Sequence, residues 1–545
     1  MRTSTPSQGS IYLSGLLAVA SLALLAPDAR AAEVSCGQVI ATSTTVDNSL
    51  SECPGDGLVI GASAITLDLN GQTIDGVGLG VGVRNDGFDD VTVRNGTVRE
   101  FDYGAVLSPG AHRNLVTGVF LVQQEWAGVY LDDADDNQVR DNWVADFSDV
   151  GIRLTNGSSS NVVRGNAVTG GNGEGVVIDA ESNLNRLEAN EISGSSNAGV
   201  RADSSHHNTV VANRVSGSAD AAILLSGATG SVVRSNTLTL SGDAAVVLRA
   251  ASDGNRVVAN QIDNSSDAGV FVLDSSSNVV RGNALVANAI GIEASHGELN
   301  RVEFNHVTAN LGMGIEVAES ARSTVLGNTV SGNLAEGIYL DGESVENSVT
   351  GNAAYWNDGD GIHVKGPGTV LTGNLATNNL GWGIYVAPGV IDGGGNGANG
   401  NAELAQCYLI ACSDGSDWQP PVQPPEPGDP PVPPVPAPPA GPQAGLGGTA
   451  RLTCRPRRAA RARARVCKVR FRAGATSRRV TARLVRGGRV FASGSRTVKP
   501  GRRSNLAMRA RRRIRPGRYT LLLTFVDAGG GSSLVRQAVR VRLRG

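Results

Sequence analysis

The chain reads Asn347-Ser348-Val349-Thr350-Gly351-Asn352 and, nine residues on, Gly361-Ile362-His363-Val364. The same phrase returns along most of its length. Equivalents of Asn352 stand at 142, 166, 190, 213, 236, 260, 283, 305, 328 and 374, every interval lying between 22 and 24 residues. Five residues upstream runs a second column, Asn137, Asn161, Asn185, Asn208, Asn255, Asn278, Asn300 and Asn347, with Ser231, Ser323 and Thr369 at the intervening turns. Nine or ten residues downstream comes a small residue followed by a β-branched one, as in Gly128-Val129, Gly151-Ile152, Ala222-Ile223 and Gly337-Ile338. A period this short marks a solenoid, because one repeat cannot bury its own apolar face and must stack on its neighbours.

Short alternating runs such as Gly-Ile-Tyr-Leu and Asn-Val-Val-Arg predict three brief strands per repeat, separated by Gly, Asn and Ser turns. Stacking the repeats in parallel pairs each strand with its equivalent about 4.8 Å away and closes a Val/Ile/Leu interior. The expected fold is all-β, a right-handed parallel β-helix. About 13 coils fit between Leu58 and Val390, a rod of roughly 60 Å. Asn suits the turns because it tolerates left-handed backbone and its amide can bond the identical amide one coil away. The Asn columns are therefore expected to be scaffolding.

Outside the repeats the 545-residue chain divides by composition. Residues 1–31 read as an export signal, with Arg2, an apolar core from Ile11 to Ala26 and a small-residue cleavage site at Ala29-Arg30-Ala31, so the mature chain would start at Ala32 and be secreted or held at the cell surface. Residues 32–57 would cap the first coil, 58–392 form the β-helix and 393–418 cap the last. Residues 419–448, of which 13 are proline, read as an extended linker, and 449–545 as a small basic β-sandwich. That last segment holds 29 Lys and Arg against the single acid Asp527, whereas the rest of the chain holds 19 bases against 49 acids. Such a tail attracts anionic envelope polymers or acidic polysaccharide, or else docks on the acidic body; nucleic acid is not an expected partner of an exported chain. No apolar run after the signal is long enough to span a bilayer. Export permits disulfides, and the six cysteines fall into close pairs, Cys36 with Cys53, Cys407 with Cys412 and Cys454 with Cys467.

The Leu67-Asp68-Leu69-Asn70-Gly71 opening and the Gly-Ile-x-Leu and Gly-Asn-x-Val rungs resemble the pectin-lyase-like superfamily, in particular NosD-type and carbohydrate-binding and sugar-hydrolysis repeat proteins. The likeness covers about two thirds of the chain. It implies a right-handed parallel β-helix. Relatives include polysaccharide lyases, glycosidases, uronate C5-epimerases and adhesins, so the resemblance does not choose an activity. The basic segment looks like the immunoglobulin-like modules that end secreted bacterial proteins.

On a Gly-Ile-x-Val strand the x residue faces outward. Followed coil by coil, that position and the next outward one give two polar and aromatic patches separated by an apolar middle. The C-terminal patch comprises Glu293, Glu316, Tyr339, Asp341, His363, Lys365 and Tyr385. Tyr rings can stack on sugar faces, while carboxylates and Lys bond hydroxyls or a uronate carboxylate. Lyase or epimerase chemistry would use Lys365 to neutralise a uronate, His363 or Tyr339 as base and Tyr385 to return a proton. A glycosidase would instead use Glu293 and Glu316 as its carboxyl pair. The plain alternative is a solvated polar face. The Asp-Pro-His motif of mannuronan epimerases and the Asn-Thr-Asp and Gly-His-Gly motifs of polygalacturonases are absent. The N-terminal patch comprises Tyr130, Arg153 and Arg201 as ligand-binding candidates, beside Asp179 and Asp203. In the adjacent turn Asp132, Asp133, Asp135 and Asp136 supply the oxygen density that could hold Ca²⁺, although a solvated turn explains them better. No cofactor is otherwise expected, and six scattered His support copper delivery poorly. The expected ligand is a polysaccharide, bound or modified; an adhesin for protein partners is the remaining class.

Overall fold

A computed structural model describes residues 30–424 and, beyond them, 451–456, 465–472, 477–486, 489–499, 502–510, 517–527 and 532–541. Residues 1–29 of the expected export signal, residues 425–448 of the linker and parts of the basic segment lie outside the described residues, whereas Arg30–Ala32 pairs with Thr44–Val46 at the start of the stack.

The repeats wind as expected. The coil built from Thr324–Leu326, Thr329–Ser331 and Ile338–Leu340 shows the pattern, each strand burying its middle or alternate residues. Every strand pairs in parallel with its equivalent one coil on, so that Ile338 lies beside Ile362 and Ile362 beside Ile384. Val325, Val330, Ile338 and Leu340 of this coil are all within 1% of complete burial. At ~1.5 to 3 kcal/mol for each buried aliphatic chain, stacking one coil gains several kcal/mol before chain entropy opposes it.

The third-face strands number 17 in one parallel stack, which makes about 16 turns rather than 13. The difference comes from the ends. The segment expected to cap the first coil is itself wound, with Gln38–Ile40 pairing with Leu58–Ile60 and Thr44–Val46 with Thr66–Asp68. Likewise Gly397–Asn399 and Cys407–Tyr408 extend the stack at the far end. Cys36–Cys53 clips the first coil and Cys407–Cys412 the last. Cys454 and Cys467 face each other on adjacent antiparallel strands, and Cys467 is disulfide-bonded.

Both Asn columns form buried ladders, but the left-handed residue is not the Asn. It is the residue before it: Ala189, Ala212, Ser235, Ala259 and Phe304 in the first column, Asp136, Ser160, Leu184, Ser277 and Leu299 in the second. Asn is needed for its amide. Asn328 donates through its backbone N–H (2.9 Å) and Nδ2 (3.0 Å) to Oδ1 of Asn352, and through Nδ2 to the Val302 carbonyl at 2.7 Å. Where the second column has Ser or Thr, the hydroxyl takes over the acceptor role, as when the Asn300 N–H donates to Ser323 Oγ at 3.2 Å. A third ladder runs through Asn288, Asn310, Asn333, Asn357, Asn379 and Asn401, and the Gln406 side chain ends it by accepting from Asn401.

The next coil explains the small residue before each β-branched one, and from Asn288 onward the third ladder adds to the crowding. A Cβ on Gly337 would stand 2.5 Å from the Gly361 carbonyl and 2.7 Å from Asn357 Nδ2. Where the next coil presents Ser241 or Ser265 instead of Asn, Ala222 and Ala245 take the small position and are fully buried.

The start of the Pro-rich segment turns back along the solenoid. Trp418 Nε1 donates to the Gly373 carbonyl at 2.7 Å, Pro421 reaches the corners at Gly351 and Gly327, and Arg281 bonds the Pro424 carbonyl. The basic segment contributes seven antiparallel strands in a single pairing order, burying Cys467, Val469 and Phe471 while Lys468 and Arg470 face out. This pairing does not by itself show an immunoglobulin-like arrangement.

Candidate functional site

The C-terminal patch assembles on the third face. The register places Glu293 beside Glu316, Glu316 beside Tyr339, Tyr339 beside His363, His363 beside Tyr385 and Tyr385 beside Tyr408. One residue per coil from a strict parallel register produces a straight row, because equivalent side chains of successive coils point the same way. Four rings follow one another along it: Tyr339 and His363 centroids are 5.5 Å apart, His363 and Tyr385 4.5 Å, Tyr385 and Tyr408 4.8 Å. Trp382 stands at the rim, 6.4 Å from Tyr385 and 5.5 Å from Tyr408.

Three members of this site escaped the sequence reading. Asp360 lies in the turn before its strand, where its Oδ2 pairs with His363 Nδ1 at 2.8 Å and its Oδ1 accepts from the Trp382 N–H at 2.7 Å. Trp382 occupies the equivalent rim position one coil later. Tyr408 belongs to a rung whose Gly-Ile signature is replaced by Gln406-Cys407. Counting back three residues from each outward ring would have found the first two.

Lys365 does not stand free. Its Nζ donates to Tyr339 Oη at 3.0 Å and lies 5.0 Å from that ring's centroid, and the bond to Tyr339 raises its pKa. Glu293 is half-buried, and burial first, then the charges of Glu316 and Asp267, push its carboxyl up to about 7. Glu316 is also raised, by burial and then by Asp341 and Glu336. Asp341 accepts from the Glu319 N–H at 3.1 Å. The row can therefore stack flat rings, bond hydroxyls and hold a proton on a carboxyl at neutral pH.

The N-terminal patch is differently committed. Arg153 pairs with Asp179 at 2.7 Å, and Arg201 with Glu174 and Asp203 at 3.2 Å each. Tyr130 packs on Tyr103, centroids 5.1 Å apart, and burial raises its pKa. The apolar middle is not solvent-facing as the alternation implied: Val177, Leu224 and Val247 are buried, the last two in a small outer core with Ala198, Ala221, Ala244 and Ala268. Ala198, Ala221 and Ala244 belong to the turns preceding their strands, and Ala268 opens the strand Ala268–Leu273.

In the acidic turn Asp132 accepts from Asn156 Nδ2 and Asp135 from the Ser159 N–H, both at 2.7 Å, while Asp133 and Asp136 occupy left-handed turn positions. Among the described residues no group of three or more His, Cys, Asp and Glu could hold a metal ion. Among the described residues the histidines gather into no such group. His112 accepts from the Asp135 N–H, His206 contacts Thr229, His296 pairs with Glu319 and His363 with Asp360, each on its own part of the surface. Among the described residues no helix is long and apolar enough to cross a membrane.

Two family models match. "Right handed beta helix region" matches residues 174–330 and 300–391, and "Periplasmic copper-binding protein (NosD)" residues 62–239. No curated protein matches the chain. Among solved structures, the periplasmic alginate epimerase AlgG is similar at 15% identity and a TM-score of 0.31, over 70% of this chain and 79% of that one. The Azotobacter vinelandii mannuronan C-5 epimerase A-module is similar at 11% identity and 0.27, over 70% and 91%, and the DFA-IIIase from Arthrobacter chlorophenolicus A6 at 14% and 0.32, over 53% and 81%. The parallel register of the repeats and the two family models that fall on them, together spanning residues 62–391, show this part of the chain to be a right-handed parallel β-helix similar to NosD-type repeats.

Proposed function

We propose that this is an exported polysaccharide-binding protein whose ligand lies along the third face, parallel to the solenoid axis, across Glu293, Glu316, Tyr339, His363, Tyr385 and Tyr408. The observation that carries this reading is the unbroken row of rings from Tyr339 to Tyr408, bordered by Trp382 and by carboxylates. Rings in line present a repeated apolar ridge to a chain of sugars, and the flanking acids accept hydroxyl hydrogen bonds. A repeating ligand suits a repeating surface. The basic segment would attach the protein to an anionic envelope polymer, keeping the site near its ligand.

Glu293 gives turnover a specific foothold, since a carboxyl that keeps its proton near neutral pH beside a second carboxyl is the equipment of glycoside hydrolysis. Uronate lyase or epimerase chemistry is less well served, because Lys365, the cation it requires, is engaged with Tyr339. Incubation of the full chain with neutral, amine-bearing and uronate polysaccharides separates the readings. Retention lost in Tyr385→Ala supports the binding site. New reducing ends lost in Glu293→Gln would make it a hydrolase, and retention on protein partners but on no glycan would reject the proposal.

A further inference from the structure

The charges around the row point to the kind of polysaccharide it takes, an inference that rests on the glycan-binding reading above. Asp267, Glu293, Glu316, Glu336, Asp341 and Asp360 line or border the row, against Lys365 alone. Among the described residues no Arg or Lys forms an ion pair with any of these six acids, in contrast to the N-terminal patch, where Arg153 and Arg201 neutralise theirs. A polyuronate brought to this surface would meet carboxylates at nearly every coil. A cationic chain would not.

The row already holds one ammonium. Lys365 Nζ sits over the Tyr339 ring and bonds its hydroxyl, the geometry in which a tyrosine binds a cation through both its π-face and its oxygen. One and two coils before Tyr339, Glu316 and Glu293 hold the equivalent positions, and among the described residues no Lys or Arg pairs with them. We propose that the ligand is a polymer of amino sugars with free, protonated amines. Its sugar rings lie along His363, Tyr385 and Tyr408, and its ammonium groups bond Glu316 and displace the proton of Glu293, offsetting the proximity of the two carboxylates so formed.

The test uses the full chain in affinity electrophoresis, at a pH where the amines are protonated. The probes are poly-glucosamine with free amines, its N-acetylated counterpart of similar length and a polyuronate. The expected result is at least tenfold tighter retention by the free-amine polymer than by the acetylated one. Glu293→Gln with Glu316→Gln should abolish that preference while retaining the acetylated polymer, and Tyr385→Ala should weaken both polymers alike. Asp135→Asn with Asp136→Asn, on a distant turn, should leave the preference intact; an equal loss there would mean diffuse attraction to an acidic rod and overturn the assignment. Retention of the acetylated polymer or the polyuronate as tightly as the free-amine polymer would overturn it too, with the binding row upheld. Retention of none of the three, the acetylated polymer included, would reject the row itself.

Discussion

The rings of Tyr385 and Tyr408 lie parallel, 6° between their planes and 4.8 Å between centroids, on the last two rungs of the stack. Tyr408 follows Cys407, and the Cys407–Cys412 bridge ties down the loop that leads away from it. The bridge closes only a short loop, so its global contribution is small. Its local effect is to keep the end of the row in register. Cys407→Ser with Cys412→Ser should therefore leave far-UV circular dichroism unchanged yet weaken glycan retention about two- to tenfold, the equivalent of one aromatic contact. Retention at the unaltered level would show that Tyr408 is not part of the site.

Glu293 makes the solenoid sensitive to pH in a definite direction. Its carboxyl is held above its ordinary value, so the fold favours the protonated form. The stability this lends is fully present below about pH 4.5 and is lost as pH rises through about 7. Because the side chain is only half-buried, solvent screening reduces the effect to about 1–2 kcal/mol. Glu293→Gln should flatten the chemical-denaturation midpoint between pH 4.5 and 7.5. A variant that steepens the dependence would contradict the assignment.

The small residue on each third-face strand is set by the next coil. Gly337→Ala drives a Cβ to 2.5 Å from the Gly361 carbonyl, backbone that cannot swing aside, whereas a methyl added at Gly342 would meet no heavy atom within 4 Å. Overpacking of this kind costs about 1–3 kcal/mol. Gly342→Ala should be nearly neutral, and equal melting temperatures for the two variants would refute the packing account.

The fold was legible because a solenoid writes its geometry into the sequence once per turn, so that Asn352 and Gly361 could be recognised from their equivalents. What was less legible depended on departures from the period. The third ladder was hidden because Ser218, Ser241 and Ser265 hold its place in the early coils and Asn appears only from Asn288 onward. The coil count is higher than expected because the first rungs lack the Asn signature and the last, with Asn396, lacks the Gly-Ile one, while both pair like the rest. Outward positions were identified correctly by alternation at Tyr339, His363 and Tyr385. Alternation could not show that Leu224 and Val247 are buried in a small outer core, nor that Arg153 would find Asp179 one coil on, since both depend on how side chains of different coils meet.

The ladders also differ in what they tolerate. In the first column each Asn uses both ends of its amide: Asn328 Oδ1 accepts from the backbone and side chain of Asn305, while Nδ2 donates to Asn352 and to the Val302 carbonyl. Neither a hydroxyl nor an apolar group can serve all of these partners, and from position 142 to 374 the column admits no other residue. In the second column the hydroxyl of Ser323 already suffices, accepting from Asn300 while its own N–H donates to Asn347 Oδ1 at 2.8 Å. Asn328→Leu should thus leave several buried groups without partners and cost about 3–5 kcal/mol. Ser323→Asn, restoring the column's commoner residue, should change stability by less than about 1 kcal/mol. Urea midpoints of the two variants measure the contrast, and a mild Asn328→Leu would mean that the ladder merely fills space.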